Sequence, residues 1–196
     1  DVENELFYNE QGSLNLNQIE EKLVFPLEIS DLPSNLSFED ALDRGVVSKI
    51  SSYTIDYSAG AGQVNRNINI ELGASAINDT ICKAGENWSF LNYVGETTPN
   101  KGYKSAPVIV GGKVEEDYGG GICLVATTVF LSAYYAGFPI VERHNHNLYM
   151  SNYPDGRDAA IAGPDQDLVW YNDTGSDVLL QTHYNGSTLE IALYGV

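Results

Sequence analysis

The residue best placed to do chemistry is Cys123, which follows the run Gly119-Gly120-Gly121-Ile122. Glycines allow a tight turn and a close backbone approach, and the stretch from 124 to 136 has no Gly or Pro, so we predict that Cys123 stands at the start of a helix. The positive end of a helix dipole and its unpaired N–H groups favour a thiolate and can stabilise an oxyanion during acyl transfer. A small buried apolar residue under a glycine loop is the alternative interpretation.

A cysteine nucleophile needs a base that is distant in sequence and close in the fold. Two of the three histidines, His144 and His146, follow Arg143, and 23 residues separate Cys123 from His146. On a strand both rings would share a face. Asp158 is the best candidate for the group that orients the imidazole. Two alternatives stay open, since His-x-His with an Asp and a Cys can also bind zinc, and His144 fits a partly exposed strand residue.

The elements that must position these side chains form an α+β pattern from residue 51 onward. We predict a β-rich single domain over residues 51–196, with a central helix that starts at the Gly-Gly-Gly-Ile-Cys loop and ends at Gly137. Ile68, Leu72 and Ala76 lie four apart and predict another helix. Strands are predicted at 52–57, 106–110, 138–147, 168–171, 178–184 and 188–194.

Residues 1–50 differ from the rest of the chain, because they hold 11 acidic and 3 basic residues and few glycines. Helical spacing over Asn15–Phe25 and a capping-box-like start at Ser37 predict two short helices. We interpret this region as the end of an upstream domain followed by a linker.

The charge of the chain excludes one class of partner. With 10 Lys and Arg against 27 Asp and Glu, the formal net charge is −17, and nucleic-acid binding would need a basic surface that this sequence lacks. No apolar run is long enough to span a bilayer, so we expect no membrane contact by this chain itself. The two cysteines, Cys82 and Cys123, are too few for a disulfide scaffold. We expect Cys82 and His183 to have structural roles and not catalytic ones. We expect no cofactor.

Taken together, the motifs resemble the signature of the VanW domain family. The resemblance covers residues 51–195, and residues 1–50 resemble the connector from the peptidoglycan-binding-like domain that often precedes a VanW domain. The motifs that carry it are Gly119-Gly120-Gly121-Ile122-Cys123 with Ala126-Thr127-Thr128, Gly85-Glu86, Trp88-Ser89-Phe90, Val94-Gly95, Gly102-Tyr103, Val141-Glu142-Arg143 with His146, and Gly156-Arg157-Asp158-Ala159.

The resemblance implies an envelope protein, anchored at its N-terminus and facing the cell wall on the outside of the cell. Some VanW-domain proteins are implicated as cysteine L,D-transpeptidases, which form 3-3 cross-links between peptidoglycan stem peptides. In that activity Cys123 would be the nucleophile, His146 the base and acid, and Asp158 its orienting partner. Arg143 or Arg157 would hold a stem carboxylate. The full set of expected substrate contacts is Arg143, His144, Arg157, Gly120, Gly121 and Trp88.

Two positions depart from the family pattern. Leu124 stands where the family usually has Gln, and Asn147 stands where it usually has Ser. The change at Leu124 supports a second interpretation, in which the domain binds or scaffolds peptidoglycan without catalysis. A third interpretation is a cysteine amidase or peptidase that uses the same groups with water as acceptor. For Trp88, a place in the core is the alternative to a contact with substrate.

Overall fold

The computed structural model describes residues 48–58, 60–110 and 113–196, together with Asp43 and Val46. The helices expected at 15–25 and from Ser37, and most of the segment interpreted as an upstream domain and linker, lie outside the described residues. The described part is an α+β domain with a central helix, which confirms the expected fold class.

The largest sheet is antiparallel and has the strand order β1-β9-β8-β2. Its strands are β1 (Ser48–Asp56), β2 (Thr80–Cys82), β8 (Val178–Tyr184) and β9 (Thr188–Gly195). The turn at Asn185-Gly186 joins β8 to β9, and the Asn185 side chain accepts hydrogen bonds from the N–H groups of Ser187 and Thr188. One face of this sheet carries the buried side chains Leu180, Leu189, Ile191 and Leu193.

Two long helices cover that sheet. Helix α1 (Val64–Ile77) and helix α3 (Ile122–Ala136) cross at Gly73, where an added Cβ would lie 2.6 Å from the Cδ1 atom of Ile122. Helix α3 is apolar nearly all round because it is enclosed by its neighbours, and the Ser132 hydroxyl donates to the Ile191 carbonyl of β9. The predicted central helix is therefore confirmed, and it begins just before Cys123.

The remaining strands form a three-stranded sheet and a separate hairpin, and one further short helix precedes the hairpin. They are the sheet of β3 (Asn87–Ser89), β6 (Ile140–Glu142) and β7 (Val169–Tyr171), the hairpin of β4 (Ser105–Val110) and β5 (Lys113–Tyr118), and the short helix α2 (Phe90–Val94). No helix in the described ranges is long and apolar enough to cross a membrane.

The strand expected over residues 138–147 is much shorter than predicted. Regular pairing stops at Glu142, and His144 forms only an isolated bridge with Ala160. The N–H of His146 donates to the carboxylate of Asp158 and not to a neighbouring strand. At the candidate catalytic residue His146, the side chain of Asp158 thus takes the place that a neighbouring strand would have as hydrogen-bond acceptor.

Candidate active site

The glycine run places Cys123 at the first turn of α3. Gly119 and Gly121 have φ angles of 87° and 110°, a region that strongly favours glycine. Gly120 is required for a different reason, because a Cβ there would lie 2.6 Å from the backbone oxygen of Pro107. The run therefore packs directly on strand β4 and turns sharply into the helix.

Asn69 of helix α1 holds this loop in place. Its side chain is fully buried, and its Nδ2 donates to the carbonyls of Gly120 and Lys104 at 2.9 Å each. Its Oδ1 accepts from the Lys104 N–H at 2.8 Å. Asn69 was not predicted from the sequence, where its signal is a polar amide between two apolar residues, Ile68 and Ile70, of the predicted helix.

Gly120→Ala is expected to lower the free energy of unfolding by about 1–3 kcal/mol, because the new Cβ would overlap the backbone of β4. It should also slow the alkylation of Cys123 by displacing the loop. Gly62→Ala is the matched control, since a Cβ there meets nothing within 4 Å. Urea unfolding of the two variants makes the comparison, and equal stabilities would contradict this view of the loop.

The segment 158–161 lies along the Cys123 face of helix α3. The Thr127 hydroxyl accepts from the Ala159 N–H at 2.9 Å, and the Cys123 Sγ accepts from the Ile161 N–H at 3.4 Å. Cys123 and Thr127 are four residues apart and so share one helix face. These two contacts fix the position of the adjoining Asp158 relative to the thiol.

Asp158 and His146 form a short, shielded pair. The Nδ1 atom of His146 lies 2.6 Å from Oδ2 of Asp158, and the same oxygen accepts from the His146 backbone N–H at 2.7 Å. The side chains are only 7% and 13% exposed, respectively. Because Nδ1 is hydrogen-bonded to Asp158, the other ring nitrogen, Nε2, is available for a hydrogen bond with the Cys123 thiol. The ring also stacks on Tyr153, with 6.0 Å between the ring centroids.

The electrostatics of the pair favour charge on both groups. Burial works to lower the pKa of His146, but interactions with Cys123 and Asp158 outweigh it and raise that pKa above its ordinary value. Burial works to raise the pKa of Asp158, but the hydrogen bonds from His146 outweigh it and lower that pKa. The site thus brings together the three predicted catalytic residues and stabilises the imidazolium that forms when His146 takes the proton of the Cys123 thiol.

The second cysteine has a different environment. Cys82 is buried, and burial together with the charge of Glu86 raises the pKa of its thiol to about 12. The Cys82 thiol donates to the Glu86 carbonyl. Its surroundings suit a structural side chain, as the sequence analysis expected.

Arg143 contacts the Asp158 segment and lies outside the cleft that contains Cys123. Its Nε donates to the Asp158 carbonyl and its Nη2 to the Gly156 carbonyl, both at 2.7 Å, and Nη2 lies 3.4 Å from Oδ1 of Asp158. The guanidinium also stacks over Phe130. Arg143 lines a neighbouring pocket of about 390 Å³. These contacts make it a support for Asp158.

Three other expected substrate contacts lie away from Cys123. The His144 ring bonds Glu142 at 2.9 Å and does not line the cleft, so the two histidines have different partners. Arg157 donates to the Tyr135 hydroxyl near the far end of α3, about 18 Å along the helix from Cys123. Trp88 is 1% exposed and stacks on Trp170 in the core. We therefore correct the expectation for Trp88, because its ring has no surface with which to contact a substrate.

The departure at Leu124 has a simple structural consequence. The Leu124 side chain is 1% exposed and belongs to the core, so it has little surface to offer to a substrate although the residue borders the cleft. Its backbone N–H donates to the Gly121 carbonyl. Asn147 is exposed at the edge of the cleft.

Cys123 and His146 open onto a cleft of about 960 Å³. Gly120 and Gly121 line it, and so do three residues that were not predicted from the sequence, which are Arg66, Glu96 and Tyr153. Tyr153 is buried, and burial raises the pKa of its hydroxyl to about 12, which keeps it protonated. These three residues carry no motif, so only the fold identifies them. Among the described residues, no group of three or more His, Cys, Asp or Glu is arranged to hold a metal ion.

Comparison with known proteins identifies the family. Among curated proteins, YoaR of Bacillus subtilis is 39% identical over 130 residues, which is 66% of this chain and 43% of YoaR. The vancomycin B-type resistance protein VanW of Enterococcus faecalis is 28% identical over 119 residues, or 57% of this chain and 42% of that protein. The chain thus spans about two-fifths of the length of these relatives. No solved structure matches it. A family model described as VanW like protein matches residues 65–194, and this chain belongs to the VanW family.

Proposed function

We propose that this domain is a cysteine acyltransferase of the L,D-transpeptidase type, acting on peptidoglycan stem peptides. The observation that carries the proposal is that Cys123 and His146 line one open cleft and interact there, while Asp158 holds His146 by its Nδ1 atom. A thiol, an imidazole and a buried carboxylate in this order form the arrangement of nucleophile, base and orienting group that acyl transfer requires.

In the first half-reaction His146 accepts the proton of the Cys123 thiol, and the sulfur attacks the carbonyl carbon of the amide that precedes the terminal D-Ala of a donor tetrapeptide. The carbon–sulfur bond forms and the carbon–nitrogen bond breaks. His146 gives its proton to the departing nitrogen, so D-Ala leaves with an uncharged amino group. A thioester remains on Cys123. Asp158 holds the imidazole by Nδ1 throughout.

In the second half-reaction the side-chain amine of an acceptor stem attacks the thioester. His146 takes a proton from that amine and returns it to the Cys123 sulfur as the carbon–sulfur bond breaks. The product is an amide that joins two stems in a 3-3 cross-link, and the enzyme regains its starting state. Water in place of the amine would give hydrolysis through the same thioester.

The first turn of α3 supplies a candidate donor for the oxyanion of each tetrahedral intermediate. The N–H groups of Ile122 and Leu124 donate to the carbonyls of Gly119 and Gly121. Within the described ranges, no carbonyl accepts from the N–H of Cys123. That N–H lies at the positive end of the helix, next to the reacting sulfur, where developing negative charge is stabilised.

The proposed setting is the outer face of the cell envelope, with peptidoglycan stem peptides as the partners. Membership of the VanW family and the similarity to a vancomycin B-type resistance protein support a role associated with the cell envelope and with vancomycin resistance. An N-terminal anchor on the full-length protein is part of this proposal.

The test is product analysis after incubation with purified disaccharide-tetrapeptide, with Cys123→Ala as the control. We expect release of D-Ala and a cross-linked dimer whose mass equals two fragments less one alanine, both absent in the variant. Release of D-Ala with tripeptide and no dimer would identify an amidase or peptidase. Saturable binding of the fragment without any product, equal in the variant, would identify a binding module and overturn the proposal.

A further inference from the structure

Arg66 is a cation without a partner in the cleft of Cys123. It lies in the first turn of α1, is half-buried, and has no ion pair or hydrogen bond through its guanidinium with any described residue. By contrast, Arg143 and Arg157 both donate hydrogen bonds to protein groups. A half-buried charge without a counter-ion is unfavourable for folding alone, which indicates a role in binding.

The position of Arg66 is next to the reacting groups. Its Cγ and its carbonyl oxygen lie 3.0 Å from where a Cβ on Gly121 would be, two residues before Cys123. Its charge also acts on Tyr153, whose ring stacks on His146. Arg66 is the only Lys or Arg among the described residues that line this cleft.

No acidic residue that lines the cleft in the described ranges forms an ion pair with the Arg66 guanidinium. Two of these carboxylates have other hydrogen-bond partners, since Glu142 accepts from the N–H of Asp167 and Asp167 accepts from the Ser89 hydroxyl. Asp117 accepts from the N–H of Tyr118. Glu96 is exposed at the rim. The Arg66 guanidinium is therefore available to pair with an anionic group of the substrate.

We propose that Arg66 binds the free terminal carboxylate of the peptide whose preceding amide Cys123 attacks. The inference rests on the proposed acyl transfer and names the specificity of that site. In a peptide the terminal carboxylate carbon is three bonds from the carbonyl carbon of the last amide, so both must lie within a few ångströms of the thiol. A guanidinium can bind that carboxylate through two parallel hydrogen bonds. The domain would then select chain termini over internal amides.

The first experiment does not depend on any peptidoglycan activity. The rate of Cys123 alkylation is measured with iodoacetate, which carries a carboxylate, and with neutral iodoacetamide, and the ratio of the two rates is compared among variants. We expect Arg66→Gln to lower the iodoacetate-to-iodoacetamide ratio about tenfold, which corresponds to about 1.4 kcal/mol. Arg66→Lys keeps the charge and should retain most of the ratio.

Lys113→Gln is the matched control for net charge. Lys113 is exposed on the β4–β5 hairpin and does not line the cleft. The iodoacetate-to-iodoacetamide ratio of Lys113→Gln should therefore equal that of the native protein. The same ratio in Arg66→Gln as in Lys113→Gln overturns the assignment of Arg66. A melting curve of each variant shows that it is folded before the ratios are compared, because an unfolded variant would also lose the preference of the site.

The second experiment uses a tetrapeptide stem with a free terminal carboxylate and the same peptide ending in a carboxamide. The native protein should form the thioester about tenfold faster with the acid, and Arg66→Gln should lose this preference. Thioester formation with an unchanged preference in Arg66→Gln would contradict the carboxylate site and leave the proposed function standing. No thioester with either peptide would contradict the proposed function, while the alkylation ratio still reports on Arg66.

Discussion

His146→Gln is expected to slow formation of the Cys123 thioester by about 10²–10⁴-fold, the range that a positioned acid–base group contributes. The imidazole interacts with the thiol and, among the described residues, is the group expected to accept its proton and pass it to the leaving amine. Glutamine has similar reach and no basic nitrogen. The rate of D-Ala release from a tetrapeptide measures the effect.

His183→Gln is the control for this change. His183 lies on the exposed part of β8 and belongs to no part of the site, so its variant should keep the native rate. A rate for His146→Gln within about threefold of this control would remove His146 from the mechanism.

The raised pKa of His146 also predicts how stability depends on pH. A folded-state pKa above the ordinary 6.5 means that protonation stabilises the fold. That contribution is complete below about pH 6.5 and is lost as the pH rises through the raised pKa. Urea unfolding of the native protein should show this decline on the alkaline side, and His146→Gln should lack it.

The lowered pKa of Asp158 acts at the acid end. Its contribution to the free energy of unfolding is present above the ordinary value of 3.8 and is lost as the pH falls through the lowered pKa. Native stability should therefore be greatest between these two limits. A native profile that stays flat across both limits would contradict the electrostatic coupling of His146 and Asp158.

Asp158→Asn is expected to reduce thioester formation by about 10²–10⁴-fold, because the amide cannot stabilise an imidazolium and can fix the wrong tautomer. The carboxylate accepts from the backbone and ring of His146, and Arg143 holds the same segment. The change should leave the fold intact, since asparagine fills nearly the same volume. Single-turnover release of D-Ala and a melting curve on the same sample measure both effects.

Asp155→Asn is the control on the same loop. Asp155 is exposed, accepts from the Tyr149 hydroxyl, and lies outside the cleft of Cys123. Its variant should behave as the native protein does. Equal rates for the two asparagine variants would show that the Asp158 carboxylate has no part in orienting His146.

The parts of the site that were predictable from the sequence are those with a local signal. Three glycines before an apolar stretch without Gly or Pro predicted the turn and helix that present Cys123, because backbone freedom and helical spacing are properties of neighbouring residues. The pairing of His146 with Asp158 was predicted from the residue type that orients an imidazole, a carboxylate, and Asp158 was the candidate chosen. The α+β class followed from helical and alternating segments along the same chain.

The parts that were not predictable depend on contacts between distant residues. The strand expected over 138–147 ends at Glu142, and further along the N–H of His146 donates to the side chain of Asp158, 12 residues away. The burial of Trp88 depends on Trp170, which is 82 positions further along the chain. Asn69 and Arg66 carry no motif, and their roles follow only from where α1 crosses the glycine loop.

The measurement that tests the central claim most directly is the intact mass of the protein after acid quenching of a brief incubation with tetrapeptide. We predict an added mass equal to the tetrapeptide less one alanine, located on Cys123 by peptide mapping and absent in Cys123→Ala. An unmodified native protein at peptide concentrations that saturate binding, or an adduct that persists in Cys123→Ala, would contradict this prediction.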